Sequence, residues 1–102
     1  MVFLKTTHVR GEVVVAICDE EILGRKLKDT SKKLVFDVSE LFYKGEKMEL
    51  QESVTFLTSA TIANLVGAKI VEAAINVGHV KQSAVTHIDG VPHAQVIKFR
   101  RT

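Results

Sequence analysis

The sequence predicts an α+β fold with a largely antiparallel sheet and two helices packed on one face. Two observations support this prediction. Strand-like and helix-like segments do not alternate regularly, since the predicted order is three strands, a helix, a short extended segment, a helix and two strands. In addition, Arg10-Gly11 and Asp89-Gly90 each separate two segments with strand character, which is typical of antiparallel hairpins. The length of 102 residues suits a single domain, residues 1–102.

The first half of the chain is predicted to be mainly extended. Residues 2–9 combine Val and Thr, which favour strands. Residues 12–18 are β-branched and nearly continuous, so they are expected to form a central strand buried on both faces. The basic residues 24–33 are expected to form a loop, and residues 34–38 a third strand. A short turn or one-turn helix that begins at Ser39 and is closed at Gly45 leads to the helical half.

The second half is predicted to contain both helices. Apolar residues at positions 50, 54, 57 and 61 follow helical spacing and predict a helix that ends near residue 59. After a brief extended segment, a second helix is expected to have Asn64 as its N-cap and to run to Val77, with Gly78 as a left-handed C-terminal cap. The last two strands are predicted at residues 84–88 and from His93 or Ala94 to Phe99.

The composition excludes several classes of protein. The single cysteine, Cys18, excludes an internal disulfide scaffold and is expected to be a small buried hydrophobe. The longest apolar run, residues 13–18, is far shorter than the ~20 residues that cross a bilayer, and the amino terminus does not resemble a secretion signal. His79, His87 and His93 lack the close spacing of metal ligands. We therefore expect a cytoplasmic protein without membrane association, metal ion or cofactor.

The charge is distributed unevenly along the chain. Residues 1–59 hold nine basic and ten acidic residues, whereas residues 60–102 hold five basic and two acidic residues. Clusters of Lys and Arg attract phosphate groups through the release of counterions, and the alternative is a solvated loop and a solvated tail. The two clusters are Arg25, Lys26, Lys28, Lys32 and Lys33, and Lys98, Arg100 and Arg101.

The predicted start of the second helix is a candidate phosphate site. Asn64 would cap this helix, and Gly67 would lie in its first turn, where free backbone N–H groups and the helix dipole favour an anion. Because glycine has no side chain, it lets an anion or another backbone approach closely. The alternative is a capped helix whose Gly67 simply packs against a strand.

His93 and Gln95 form a second candidate site. Pro92 fixes the backbone beside a predicted turn, and residues that lie two apart on a strand point to the same face. Their side chains donate and accept hydrogen bonds, which suits a base, a phosphate or a polar partner such as Asn64. A structural polar network of these three side chains is an equally good interpretation. No nucleophile pairs with His93 in the sequence, so no catalytic residue is assigned.

Three blocks of the sequence resemble a known family. They are residues 10–24, which begin Arg-Gly-Glu and end Ile-Leu-Gly, residues 60–67, Ala-Thr-Ile-Ala-Asn-Leu-Val-Gly, and residues 90–95, Gly-Val-Pro-His-Ala-Gln. With these blocks, the chain resembles the archaeal domain of unknown function 424 over residues 2–99, and residues 25–50 match least well. The resemblance implies a small, single-domain archaeal protein and no particular activity.

The leading hypothesis is a small RNA-binding protein or a translation- and ribosome-associated accessory protein. The sequence lacks the aromatic pair of common RNA-binding sheets, so binding is expected to depend on phosphates and to weaken with salt. The candidate residues for binding nucleic acid or phosphate are Asn64, Gly67, His93, Gln95, Lys98, Arg100, Arg25 and Lys26.

Two alternatives come from other functional classes. One is a protein-interaction or structural module, for example a homodimer formed through a sheet edge or through the apolar residues Leu41, Phe42 and Tyr43. The other is an enzyme for a small ligand, which would use His93 and Gln95 together with Asn64 beside a pocket.

Overall fold

The structure is a computed structural model that describes residues 1–98. Within this part of the chain, eight strands and three α-helices are present. In chain order they are β1 (Val2–Val9), β2 (Glu12–Asp19), β3 (Lys26–Asp29), β4 (Leu34–Asp37), α1 (Glu40–Tyr43), β5 (Glu46–Met48), α2 (Leu50–Thr55), β6 (Ile62–Val66), α3 (Ala68–Asn76), β7 (Thr86–Ile88) and β8 (Val91–Ile97).

Six of the strands form the main sheet in the order β5-β1-β2-β6-β8-β7, and β3 and β4 form a separate hairpin. Neighbouring strands of the main sheet are antiparallel except β2 and β6, which are parallel. The turns between β1 and β2 and between β7 and β8 contain Arg10, Gly11, Asp89 and Gly90, which all have positive φ, as a type I′ hairpin requires. The predicted α+β class with a largely antiparallel sheet is confirmed.

Helices α2 and α3 pack on one side of the main sheet, which we call the first face. Ile17 of β2 and Leu65 of β6 point to this face and are fully buried. Ile70 and Ala74 of α3 belong to the same core cluster, because they lie four residues apart on one side of the helix. Burial of each Leu or Ile side chain stabilises the fold by about 2 kcal/mol. The prediction of two helices on one face is therefore confirmed.

The β3–β4 hairpin and α1 cover only one half of the opposite side, the second face. Under this cover, Cys18 of β2 and Val66 of β6 are buried against Leu27 of the hairpin and Tyr43 of α1. The other half of the second face is open, and Ile97 of β8 is 52% exposed there. The second face is thus divided into a covered half and an open half.

Two local predictions are wrong, and one strand was missed. Residues 62–66 form strand β6, so Asn64 is not a helix N-cap, and α3 begins only after Gly67. The sequence pattern misleads at β6 because this central strand is covered on the first face and partly on the second, so polar and apolar residues do not alternate. The loop predicted at residues 24–33 contains β3, which pairs with β4 and has Leu27 as its one buried residue, and the edge strand β5 was not predicted.

The apolar segment proposed for self-association is divided between core and surface. Tyr43 is buried, and its ring contacts Phe42 edge-on at a centroid distance of 5.0 Å. Leu41 is 85% exposed and Phe42 is partly exposed. Tyr43 therefore belongs to the core of the second face, and only Leu41 and Phe42 of this segment remain at the surface.

Candidate nucleic-acid interface

The carboxylate of Asp19 occupies the amino-terminal end of α3. Asp19 is the last residue of β2 and is only 2% exposed. Its two carboxylate oxygens accept hydrogen bonds from the backbone N–H groups of Lys69, at 2.8 Å, and Ile70, at 2.9 Å. These are the free N–H groups on which the predicted phosphate site at this helix depended. The anion at this position is therefore a side chain of the protein itself.

Gly67 makes room for this carboxylate. It is the N-cap residue of α3 rather than a residue of its first turn, and its φ of 123° with ψ of 148° lies in a region that only glycine adopts readily. A Cβ on Gly67 would lie 2.8 Å from the Cβ of Asp19 and closer still to its carboxyl carbon. The Gly67 N–H donates to the carbonyl oxygen of Pro92 at 2.9 Å, which also connects the start of β8 to this corner.

Sequence reasoning did not identify the role of Asp19 at the start of α3. Because β2 and β6 are parallel, with Cys18 opposite Val66, their carboxyl ends lie side by side. Asp19, the last residue of β2, therefore meets the helix that follows β6. Burial raises the pKa of Asp19 above its ordinary value, and the hydrogen bonds from Lys69 and Ile70 oppose that rise. An acidic residue at the end of an apolar strand, together with a glycine before a helix, was the available signal.

The open half of the second face presents two rows of side chains across four strands. Lys5, Ala16, Asn64 and Gln95 are opposite one another on β1, β2, β6 and β8. With strands about 4.8 Å apart, this row is about 14 Å long. Ala16 is buried between Lys5 and Asn64. We call the surface formed by the two rows the open face, and its exposed or half-buried residues are Lys5, Asn64, Gln95, Thr7, Val14, Ile62 and Ile97.

The structure brings together three residues that the sequence singled out. Asn64 lies directly opposite Gln95 on the neighbouring strand, and His93 lies two residues before Gln95 on the same face. Within residues 1–98, the side chains of these three residues make no hydrogen bond to protein groups. Asn64, His93 and Gln95 therefore do not form a closed network of hydrogen bonds. Their donors and acceptors face solvent, and Asn64 and His93 are half-buried while Gln95 is exposed.

His93 marks the border between the open and covered halves. Its ring lies 5.0 Å from the ring of Phe36 on β4, at an angle of 60°. On the β1 side, Lys5 Nζ donates to the carbonyl oxygen of Leu41 at 2.6 Å. The β3–β4 hairpin and α1 thus form a wall along one side of the open face.

We expect His93 to make stability depend on pH in the acid range. Burial lowers the pKa of His93 below its ordinary value of 6.5, so the folded protein favours the neutral imidazole. The stability that this group contributes is complete above pH 6.5 and is lost as the pH falls below that value. Urea unfolding over a pH series should show a shallower acid-side decline in free energy for His93→Gln than for the unchanged protein. His8→Gln, which removes an exposed histidine, is the control, and an equal effect of both variants would contradict this assignment.

The remaining candidate residues lie elsewhere. Lys98 does not join the open face, because its Nζ donates to the carbonyl oxygens of Leu57 and Thr58, at 2.7 and 3.1 Å, next to α2. Arg25 and Lys26 are exposed at the start of the β3–β4 hairpin. Arg100 lies outside the described residues.

The β3–β4 hairpin presents unpaired positive charge. The ion pairs within residues 1–98 involve Lys44, Lys47 and Lys69, and none involves a basic residue of the hairpin. Lys32 Nζ donates to the carbonyl oxygen of His87, which also covers the edge strand β7. The acidic Asp29 is occupied by local hydrogen bonds. The cations of this segment that form no ion pair are Arg25, Lys26, Lys28 and Lys33, and the exposed Asp37 lies opposite Lys26.

Two potentially reactive features do not form a catalytic centre. Cys18 is completely buried, and burial raises the pKa of its thiol to about 12, so it is a poor nucleophile near neutral pH. In the described part of the chain, no three His, Cys, Asp or Glu side chains are arranged to hold a metal ion.

A groove lined by Glu72, Asn76, Gln82 and His87 lies on the first face, away from Asn64, and sequence reasoning did not identify it.

The fold defines a class of protein: a small α+β domain whose main sheet is covered by helices on one face and left half-open on the other. The chain belongs to the family described as "Protein of unknown function (DUF424)", whose model matches residues 7–99. This match confirms the resemblance that the three sequence blocks indicated.

A solved structure is also similar to this chain. It is the crystal structure of an uncharacterized conserved protein from Methanopyrus kandleri, with 26% sequence identity and a TM-score of 0.82. The similarity covers 99% of this chain and 96% of that one. No curated protein matches the chain. Among residues 1–98, no helix is long and apolar enough to cross a membrane.

Proposed function

We propose that this protein binds single-stranded RNA on the open face. The observation that supports this proposal best is the pair of carboxamides, Asn64 and Gln95, which are adjacent on neighbouring strands and have no hydrogen-bond partner within residues 1–98. A carboxamide both donates and accepts, so it suits the mixed donor and acceptor edges of unpaired bases. Exposed sheet faces are a common platform for single strands.

The dimensions of the open face suit a short single strand. A row about 14 Å long is enough for about two nucleotides of extended chain. The half-buried rings of His93 and Phe36 at its border offer one place where a base can stack. Among the strands of the main sheet, Glu12 is the one described carboxylate on the second face, so little negative charge opposes a phosphate chain.

The β3–β4 hairpin supplies the electrostatic part of the proposal. Arg25, Lys26, Lys28 and Lys33 form no ion pair within the described residues, and they lie on the element that borders the open face. Each phosphate that a cation neutralises releases counterions, and the logarithm of affinity then falls by about 0.7 per contact with the logarithm of salt concentration. Binding is expected to be strong only at low salt.

Fluorescence anisotropy with a labelled single-stranded oligoribonucleotide tests this function. We expect saturable binding at low salt, a linear loss of affinity with the logarithm of salt concentration, and weaker binding of the same sequence as a duplex. A duplex hides the base edges that the carboxamides would contact. Absence of binding to the single strand at low salt would exclude the function, and preferential binding of the duplex would exclude the open face as its site.

Gln95→Glu is expected to weaken RNA binding about fivefold, because it places a negative charge on a side chain of nearly the same shape beside Asn64 in the proposed site. Gln51→Glu makes the same chemical change at an exposed position of α2, away from the open face, and should weaken binding much less. Anisotropy titrations of both variants under identical salt measure the difference. Equal losses would mean that net charge, rather than the open face, determines binding.

A further inference from the structure

A groove lies on the first face between α3 and the segment that leads into β7 and β8. Its volume is about 360 Å³, near the lower end of the ~300–1,000 Å³ typical of small-ligand sites. We call it the α3 groove. Its apolar residues are Ala68, Val71, Ile75, Val85 and Pro92, and its polar residues are Glu72, Asn76, Gln82 and His87.

The polar side chains of the α3 groove are free to bind a ligand. Glu72 and Asn76 belong to α3, whereas Gln82 and His87 line the opposite side of the groove, and all four are exposed. None of these side chains has a hydrogen bond or ion pair within residues 1–98. Lys69, the basic residue one turn before Glu72, is paired with Glu21 at 3.4 Å. An apolar lining with a few convergent polar groups is typical of a binding site.

The charge of the groove restricts the ligand. Glu72 is the one residue of the lining with a permanent charge, so the ligand is expected to be a cation. The partly exposed side chains of Ile75 and Val85 favour an aliphatic chain attached to that cation. A lysine side chain has both parts, because four methylene groups separate its ammonium from the backbone.

We infer that the α3 groove binds a lysine side chain of a partner protein. Its methylene groups would lie on Ile75, Val85 and Pro92, and its ammonium would pair with Glu72. Free lysine fits less well, because its α-carboxylate would meet no permanently charged cation in the lining. The groove and the open face are on opposite sides of the main sheet, so a partner held here leaves the RNA face accessible.

Nuclear magnetic resonance titration with Nα-acetyl-lysine N-methylamide tests this inference, since this compound is a lysine residue as it occurs within a peptide. We expect shifts of backbone signals confined to residues 68–76 and 82–92. The norleucine analogue, which keeps the carbon chain and lacks the charge, should bind several-fold more weakly, and free lysine should also bind more weakly. No shift in these segments at millimolar ligand, or equal binding of the lysine and norleucine compounds, would overturn the inference.

Glu72→Gln should remove most of the preference for lysine over norleucine, a change of about threefold in relative affinity for an exposed ion pair. Glu52→Gln is the matched control, because Glu52 is exposed on α2 and does not line the α3 groove. The spectrum of each variant reports directly whether the fold is retained. An unchanged preference in Glu72→Gln would contradict the assignment of Glu72 as the partner of the ammonium.

Discussion

Replacing Gly67 with alanine is expected to destabilise the protein by about 3 kcal/mol or more. The backbone of Gly67, with φ of 123° and ψ of 148°, lies where a residue with a side chain pays about 1–3 kcal/mol in strain. The new methyl group would also lie 2.8 Å from the Cβ of Asp19 and closer to its carboxyl carbon. Asp19 cannot move away freely, because it is buried and bonded to Lys69 and Ile70. The two effects therefore add.

Urea unfolding followed by circular dichroism measures this loss, and Gly78→Ala is the control. Gly78 also has a positive φ, 86°, but a Cβ there would meet no atom within 4 Å. Gly78→Ala should therefore lose about 1 kcal/mol of unfolding free energy, from backbone strain alone. If Gly67→Ala and Gly78→Ala lose the same free energy, the close contact with Asp19 has no energetic effect.

The elements that sequence reasoning located correctly are those whose causes are local. The turns at Arg10-Gly11 and Asp89-Gly90 have positive φ at both residues, and Gly11, Asp89 and Gly90 are of the residue types that adopt it readily. Gly78 caps α3 for the same reason, since its φ is 86° at the helix end. These features depend on two to four adjacent residues, so a single sequence is sufficient to predict them.

The features that sequence reasoning missed depend on contacts between distant segments. Asn64 follows small and β-branched residues, and nothing local distinguishes a short strand from the start of a helix there. What makes β6 a strand is its position between β2 and β8, which are about 50 and 30 residues away in the chain. The same parallel pairing brings Asp19 to α3, so both errors have one cause.

The candidate site was predictable in part. The two-residue period of a strand predicts that His93 and Gln95 lie on one face, and they do so in the structure. That Asn64 lies opposite Gln95 depends on the register of β6 and β8, which the sequence does not specify locally. The two-residue period also places Lys98, three residues after Gln95, on the opposite face, where its Nζ donates to the carbonyl oxygens of Leu57 and Thr58, so its absence from the site was predictable from the sequence.

Removing the carboxylate of Asp19 is expected to be about as damaging as the change at Gly67. Asp19→Ala leaves the N–H groups of Lys69 and Ile70 without an acceptor at the buried start of α3, and each lost partner costs about 1–3 kcal/mol. It also removes a negative charge from the positive end of the helix dipole. A total loss of about 3 kcal/mol is expected. Asp19→Asn keeps one acceptor oxygen without the charge, and should lose about half as much.

A double-mutant cycle distinguishes this account from two independent defects. In this account, the methyl group of Gly67→Ala does not fit because the carboxyl group of Asp19 occupies its space. Asp19→Ala should therefore reduce the loss of unfolding free energy that Gly67→Ala causes. The double variant should then lose at least about 1 kcal/mol less than the sum of the single variants, as measured by urea unfolding. Strict additivity would show that backbone strain at Gly67 is the whole effect. A favourable coupling would show that the glycine is required because the protein places its own carboxylate at the helix end.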